Sequence, residues 1–188
     1  LMSRIREHYV KSQVTADLMS RLAMTDALTQ VDNRRQLEKY LSEEVKRADR
    51  HRLPLAVIMF DIDNFKRIND RFGHATGDIV LMKIAQIVSD SLRSTDRFGR
   101  WGGDEFICVA TNTNEDTAIL LAERLRNELE QARIDESIPV TGSFGVTRFV
   151  RGDTPDALVR RADMGLFRAK NNGRNQVVTI FPETTLPV

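Results

Sequence analysis

Two places in this 188-residue chain put acids where acids are costly. Asp61-Ile62-Asp63 closes an apolar, β-rich run, Leu55 to Ile62 (LAVIMFDI), and Asp104-Glu105 follows the pair Gly102-Gly103. A carboxylate at the exit of a buried strand loses hydration unless it is paired or holds a cation. Glycines before the second pair let the backbone turn tightly and leave room for a bulky ligand. If the glycine turn lies beside the strand end, Asp61 and Asp104 converge on a hard-oxygen site. Such a site suits Mg²⁺, which keeps waters and bridges substrate phosphates. A pair of such ions serves the attacking and the leaving oxygen of an in-line phosphoryl transfer. A single Asp of this kind more often caps a turn and faces water; both clusters together favour the metal reading.

The segment after the first cluster supplies complementary chemistry. Lys66 offers a point charge to a phosphate. Backbone N–H groups after Asp63, at a helix start near Phe65, can cradle phosphate oxygens. Asn69 and Asp78 can read a base: an ionised carboxylate only accepts, and guanine's Watson–Crick edge presents neighbouring donors. Asp78 is equally explained as a first-turn acid favoured by the helix dipole, and the sequence does not separate the two readings. His74 reads as a packing residue. Lys170 and Arg174 flank Asn171-Asn172-Gly173 and can reach a triphosphate, although basic residues also decorate helix C-termini for ordinary reasons.

These residues need elements to hold them. The first, Leu1 to about Met24, reads as a helix with a narrow apolar stripe (Ile5, Val14, Leu18, Leu22). It is expected to be a coiled-coil stalk rather than a part packed on its own domain. Thr25 to Asn33 is a polar break, and Arg34 to Arg50 a helix. Leu55 to Ile62 is a buried central strand. Asn64 is expected to cap a short helix to Arg71 that Gly73 ends, and Gly77-Asp78 to open the next helix. Arg97 to Trp101 and Glu105 to Ala110 form a hairpin about the glycine pair. A helix over Glu115 to Arg133, a strand over Val140 to Phe149, a helix from Thr154-Pro155 to Asn171 and a last strand over Asn175 to Phe181 complete the list. The mixture points to an α+β fold with a mainly antiparallel central sheet of about five strands flanked by helices.

Bulk properties remove several classes. A formal net charge of +1 is too balanced for a general nucleic-acid binder. One cysteine excludes an intrachain disulfide, and with three scattered histidines a structural zinc site is not expected. No apolar run is long enough to span a membrane, and no signal peptide is visible. The chain opens on leucine, so a piece of something longer is expected, with an upstream sensor or membrane region before it. The expected compartment is the cytoplasm.

Trp101-Gly102-Gly103-Asp104-Glu105-Phe106 carries a Gly-Gly-Asp-Glu-Phe signature, and the chain resembles the GGDEF-domain diguanylate cyclase family from about Thr25 to Phe181. TDALTQVDNRR (from Thr25), DIDNFKRIND (from Asp61), FGHATGD (from Phe72), GSFGV (from Gly142) and ADMGLFRAKNNGRNQV (from Ala162) resemble its other segments, in order. The resemblance implies a nucleotidyl-cyclase, polymerase-palm-like fold over residues 25–188, with residues 1–24 as a signalling and dimerisation helix. It implies that Asp61, the Ile62 carbonyl and Asp104 hold Mg²⁺ or Mn²⁺, two ions per half-site. Glu105 would assist the second metal or activate the attacking hydroxyl. Asp104, Glu105 and Lys66 would be catalytic. Asn69 and Asp78 would read guanine, and Phe65 (by its amide), Lys66, Lys170 and Arg174 would contact phosphates. Gln30, Gly165 and Phe167 depart from the family's usual glycine, alanine and tyrosine; Gln30 stands in the turn leading in from the stalk.

Arg93 and Asp96 form an Arg-x-x-Asp pair just before the signature. The likeness implies a site for cyclic di-GMP there, inhibiting by product, with Arg100 and Arg124 as further contributors; a surface ion pair is the plainer alternative. The activity implied is condensation of GTP into cyclic di-GMP by a homodimer with one GTP per subunit. Rival readings are a catalytically silent module that binds GTP or cyclic di-GMP, an ATP-using nucleotidyl transferase, and a structural dimerisation module.

Overall fold

The computed structural model describes residues 24–134 and 138–182. The expected N-terminal stalk helix lies outside the described residues. A turn stitched by Asp26 N to Val31 O (2.8 Å) and Asn33 N to Met24 O (2.9 Å) leads in. It delivers β1 (Asp32–Asn33) and helix α1 (Arg34–His51), whose first turn Asn33 caps through its side chain. Then come β2 (Leu55–Ile62), α2 (Phe65–Phe72), α3 (His74–Ser91), β3 (Arg97–Gly102), β4 (Glu105–Thr111) and α4 (Glu115–Gln131). A two-stranded ribbon of β5 (Arg133–Ile134) and β6 (Ile138–Pro139) precedes β7 (Gly142–Arg148), α5 (Pro155–Asn171) and β8 (Val177–Thr179).

The main sheet has six strands in the order β1-β3-β4-β2-β7-β8. The three inner pairings are antiparallel, and the two outer ones, β1 with β3 and β7 with β8, are parallel. The α+β architecture with a mainly antiparallel sheet stands as expected. The sequence missed β1 and the β5–β6 ribbon, because two-residue strands carry no periodicity.

Helices cover both faces. Along β2, alternation sends Ala56, Ile58, Phe60 and Ile62 toward α2, α3 and α4. It sends Leu55, Val57 and Met59 toward α1 and α5. Asp61 therefore shares the α5 side. Four stacked rings cross the inner strands: Phe144 to Phe60 at 4.8 Å, Phe60 to Phe106 at 5.3 Å, Phe106 to Phe98 at 5.5 Å. This ladder locks the register one residue short of the acids, and a slip by one residue would turn Asp61 to the wrong face.

Two local expectations are corrected. Asn64 is no side-chain cap: it adopts φ 56°, and its carbonyl accepts from Arg67 and Ile68 instead. The following helix opens at His74, not at Gly77-Asp78, because Gly73 (φ 87°) both ends α2 and starts α3. His74 is exposed rather than packed.

Candidate active site

Antiparallel pairing of β2 with β4 sets Asp61 directly opposite Glu105, and the Ile62 N–H donates to the Asp104 carbonyl at 3.4 Å. The turn between β3 and β4 is Gly103-Asp104, since Gly102 pairs with Glu105. Gly103 takes φ 54°, and neither glycine has a heavy neighbour where a side chain would stand. The turn is thus open for a ligand, as the glycine pair suggested. Strand end and turn bring Asp61, Asp104 and Glu105 within electrostatic reach of one another.

Their electrostatics are unfavourable as they stand. Burial pushes the Asp61 carboxyl up to about 6; the hydrogen bond from Lys170 opposes this, and the Asp104 and Glu105 charges add to it. Burial likewise raises Glu105, with Lys170 opposing and Asp163 and Asp104 adding. Lys170 Nζ donates to Asp61 Oδ2 at 2.7 Å, a compact cation standing where a metal ion would be useful. Hard oxygen donors, like-charge crowding and a stand-in cation fit Mg²⁺ or Mn²⁺. Among the described residues no three metal-ligating side chains form a complete cluster, so waters and substrate oxygens would finish the shell.

Asp63 is different. Its carboxylate accepts from Thr141 Oγ1 (2.7 Å), Ser143 Oγ (2.6 Å) and the Asn175 amide (3.0 Å). It ties β7 and the segment before β8 to the end of β2. The sequence grouped it with Asp61; the structure makes it an anchor.

On the other side of the strand end, α2 and α3 press together. A Cβ on buried Gly77 would lie 1.8 Å from Asn69 Oδ1, and that oxygen is itself buried without a hydrogen-bond partner. An acceptor so placed awaits a donor. Phe65 packs against the core beneath, and Lys66 is exposed in the first turn of α2. Because α3 starts at His74, Asp78 stands in its second turn, exposed, where the helix dipole gives little reason for an acid. Lys170 and Arg174 sit at the end of α5, whose approach to β7 requires Gly145: a Cβ there would lie 2.0 Å from the Ala162 carbonyl oxygen. Arg174 (φ 66°) is exposed and folds back through its amide to Ala169 O at 3.0 Å.

A separate cavity of about 350 Å³ gathers Arg93, Asp96 and Arg124 with Leu120 and Leu121. Asp96 accepts from the Arg93 and Thr111 amides (3.3 Å each), which leaves the Arg93 side chain exposed; Arg124 donates to Ser91 O at 2.7 Å. Arg100 does not line that cavity. It donates to the Gly103 carbonyl at 2.8 Å and pairs with Asp26 at 3.2 Å, bracing the acidic turn from behind. Asp26 in turn accepts from Thr29. Arg34, stacked on Trp101 at 4.5 Å, braces the same hairpin from α1. Sequence reasoning gave no role to Asp26, Thr29 and Arg34, although all three lie within the matched segment TDALTQVDNRR.

Residues 23–176 match the family model for the GGDEF domain of diguanylate cyclases. Diguanylate cyclase DosC of Escherichia coli is 40% identical over 156 residues, 81% of this chain and 34% of the relative, so the chain spans about a third of that protein. The active GGEEF domain of a diguanylate cyclase from Vibrio cholerae is similar at 39% identity (TM-score 0.76, 80% of this chain and 97% of that one). The coiled coil and GGDEF domain of DgcB from Caulobacter crescentus, solved with c-di-GMP, shares the fold with TM-score 0.91 at 24% identity, covering 95% of this chain and 97% of that one.

Proposed function

The chain belongs to the GGDEF-domain diguanylate cyclase family, and from that premise we propose that it condenses two GTP molecules into cyclic di-GMP and two pyrophosphates, acting as a homodimer. The observation that carries this reading is the convergence of Asp61, Asp104 and Glu105 beside an open turn. Each subunit binds one GTP. The buried, unpartnered Asn69 oxygen and the Asp78 carboxylate accept from guanine, and adenine, which lacks guanine's two adjacent donors, would leave an acceptor unmatched. The amides after Asn64, Lys66, Lys170 and Arg174 hold the triphosphate.

Asp61, the Ile62 carbonyl, Asp104 and Glu105 hold the divalent ions, which when bound neutralise charge on the reacting oxygens. The 3′-oxygen of one GTP forms a bond to the α-phosphorus of the other as the bond to pyrophosphate breaks. Glu105, with its carboxyl raised by burial, stands ready to take the hydroxyl proton. The reciprocal attack closes the ring. One site cannot present both nucleotides to each other, so rates depend on how two copies are oriented. Specific activity therefore rises with enzyme concentration, and removing residues before Thr25 lowers it at dilute enzyme.

The Arg93, Asp96 and Arg124 cavity binds the product and inhibits; Arg100, committed to Asp26 and Gly103, serves the catalytic turn instead. Incubation with GTP and Mg²⁺ tests the reading. Pyrophosphate and cyclic di-GMP are expected from the wild type, and neither from Asp104→Ala. A folded wild type that binds nucleotide without releasing pyrophosphate would be the silent module instead.

A further inference from the structure

Resting on the reading of Asp61 as a metal ligand, we infer that Lys170 is a built-in counter-cation that occupies Asp61 until triphosphate draws it away, coupling metal capture to nucleotide binding through one side chain. Lys170 Nζ lies 2.7 Å from Asp61 Oδ2, and the Asp61 side chain is only 8% exposed. A carboxylate this dry needs fixed donors, as Asp63 has, or a cation, and Lys170 supplies the cation to Asp61. Asp104 and Glu105 crowd the same spot, and the Lys170 charge acts on both Asp61 and Glu105.

Lys170 bonds one of the two Asp61 oxygens, and an ammonium and a divalent ion on the same carboxylate repel each other. Metal arrival at Asp61 therefore weakens the Lys170 contact and favours its departure. Gly145 lets the α5 backbone sit directly against β7, so the helix itself is closely held there. Departure is a swing of the flexible four-carbon stem, which ends in a compact point charge. A triphosphate at the turn offers that charge a new anion close by, beside Arg174. Nucleotide thus vacates Asp61 for the metal, and the metal frees Lys170 for the nucleotide; the coupling is reciprocal by linkage. Without nucleotide the lysine competes with the metal and weakens its binding. This explains why a lysine, not an arginine, suits the end of α5: a bidentate guanidinium would hold Asp61 too firmly to let go.

The test is a calorimetric Mn²⁺ titration of the whole chain without nucleotide. Lys170→Met and Lys170→Gln are expected to bind Mn²⁺ roughly tenfold more tightly than the wild type, the scale of one charge-assisted hydrogen bond. Lys170→Arg is expected to bind no more tightly than the wild type. Adding α,β-methylene-GTP should tighten Mn²⁺ binding more in the wild type than in Lys170→Met. Thermal melts report folding, and either neutral variant suffices if the other fails to fold. Neutral variants that bind Mn²⁺ equally or more weakly overturn the exchange while leaving the metal site standing. An Asp61→Asn protein that binds Mn²⁺ like the wild type removes the metal site itself, and the exchange with it.

Discussion

Asp61 and Asp63 are two residues apart, equally buried at 6%, and opposite in circumstance. Asp63 closes a gap between strands: two hydroxyls and an amide donate to it, so its charge is fully used by the fold. Asp61 has one ammonium and faces two like charges. The first arrangement stabilises; the second leaves unfavourable electrostatics that an incoming cation would relieve. Burial alone therefore does not mark a functional acid. What marks it is burial without enough fixed donors, next to an opening.

Exchanging the two residues' fates gives the largest expected effects. Asp61→Asn should lose cyclic di-GMP formation by about a thousandfold or more, the scale of removing a main electrostatic contribution to phosphoryl transfer, and should melt no lower than the wild type. A marked loss of melting temperature would erase the contrast.

Asp63→Ala should do the reverse. It leaves three donors without an acceptor and is expected to cost about 3–5 kcal/mol in urea unfolding. Residual folded protein should keep its metal affinity. If Asp63→Ala instead abolished Mn²⁺ binding with the fold intact, Asp63 would be a ligand and the comparison would fail.

A third carboxylate sharpens the distinction. Burial alone would push Asp153 up, but hydrogen bonds from Arg161 and the Val150 amide hold it below the usual carboxylate range. A depressed folded-state value contributes stability above the ordinary carboxylate value, and that stability fades as pH falls through the folded one. Asp153→Asn should therefore lower stability at neutral pH and lose its effect as pH falls below the ordinary carboxylate range. Unfolding curves over a falling pH series check this.

The smallest effect concerns the turn leading into the hairpin braces. Gln30 sits at φ 61°, the left-handed region that the family's usual glycine tolerates freely. Gln30→Gly is expected to raise stability by no more than about 1 kcal/mol, because strain relief is offset by the freer unfolded chain. Its melting temperature should shift upward slightly, with activity unchanged.

Much of this molecule was legible in its residues. The apolar run LAVIMFDI could only be a buried strand. The glycine pair demanded a turn, and Thr154-Pro155 opened a helix as written, with Thr154 accepting from the Ala157 amide. The ordered motifs identified the family. What the sequence could not separate were the roles of like residues. Asp61 and Asp63 differ in what distant segments bring to them: Thr141, Ser143 and Asn175 to Asp63, Lys170 to Asp61. Arg100 and Arg124 differ only in which neighbour they meet, and Arg100 went to the catalytic turn. Asp78 lost its explanation as a first-turn acid only when Gly73 moved the start of α3 back to His74.

The sequence by itself determined the elements, their faces and the chemical kinds of group available, because alternation, turn residues and side-chain type act locally along the chain. Tertiary structure alone decided which acids are satisfied and which are left wanting. That depends on partners brought from up to 112 residues away, as Asn175 is to Asp63, and no local rule counts donors across a fold.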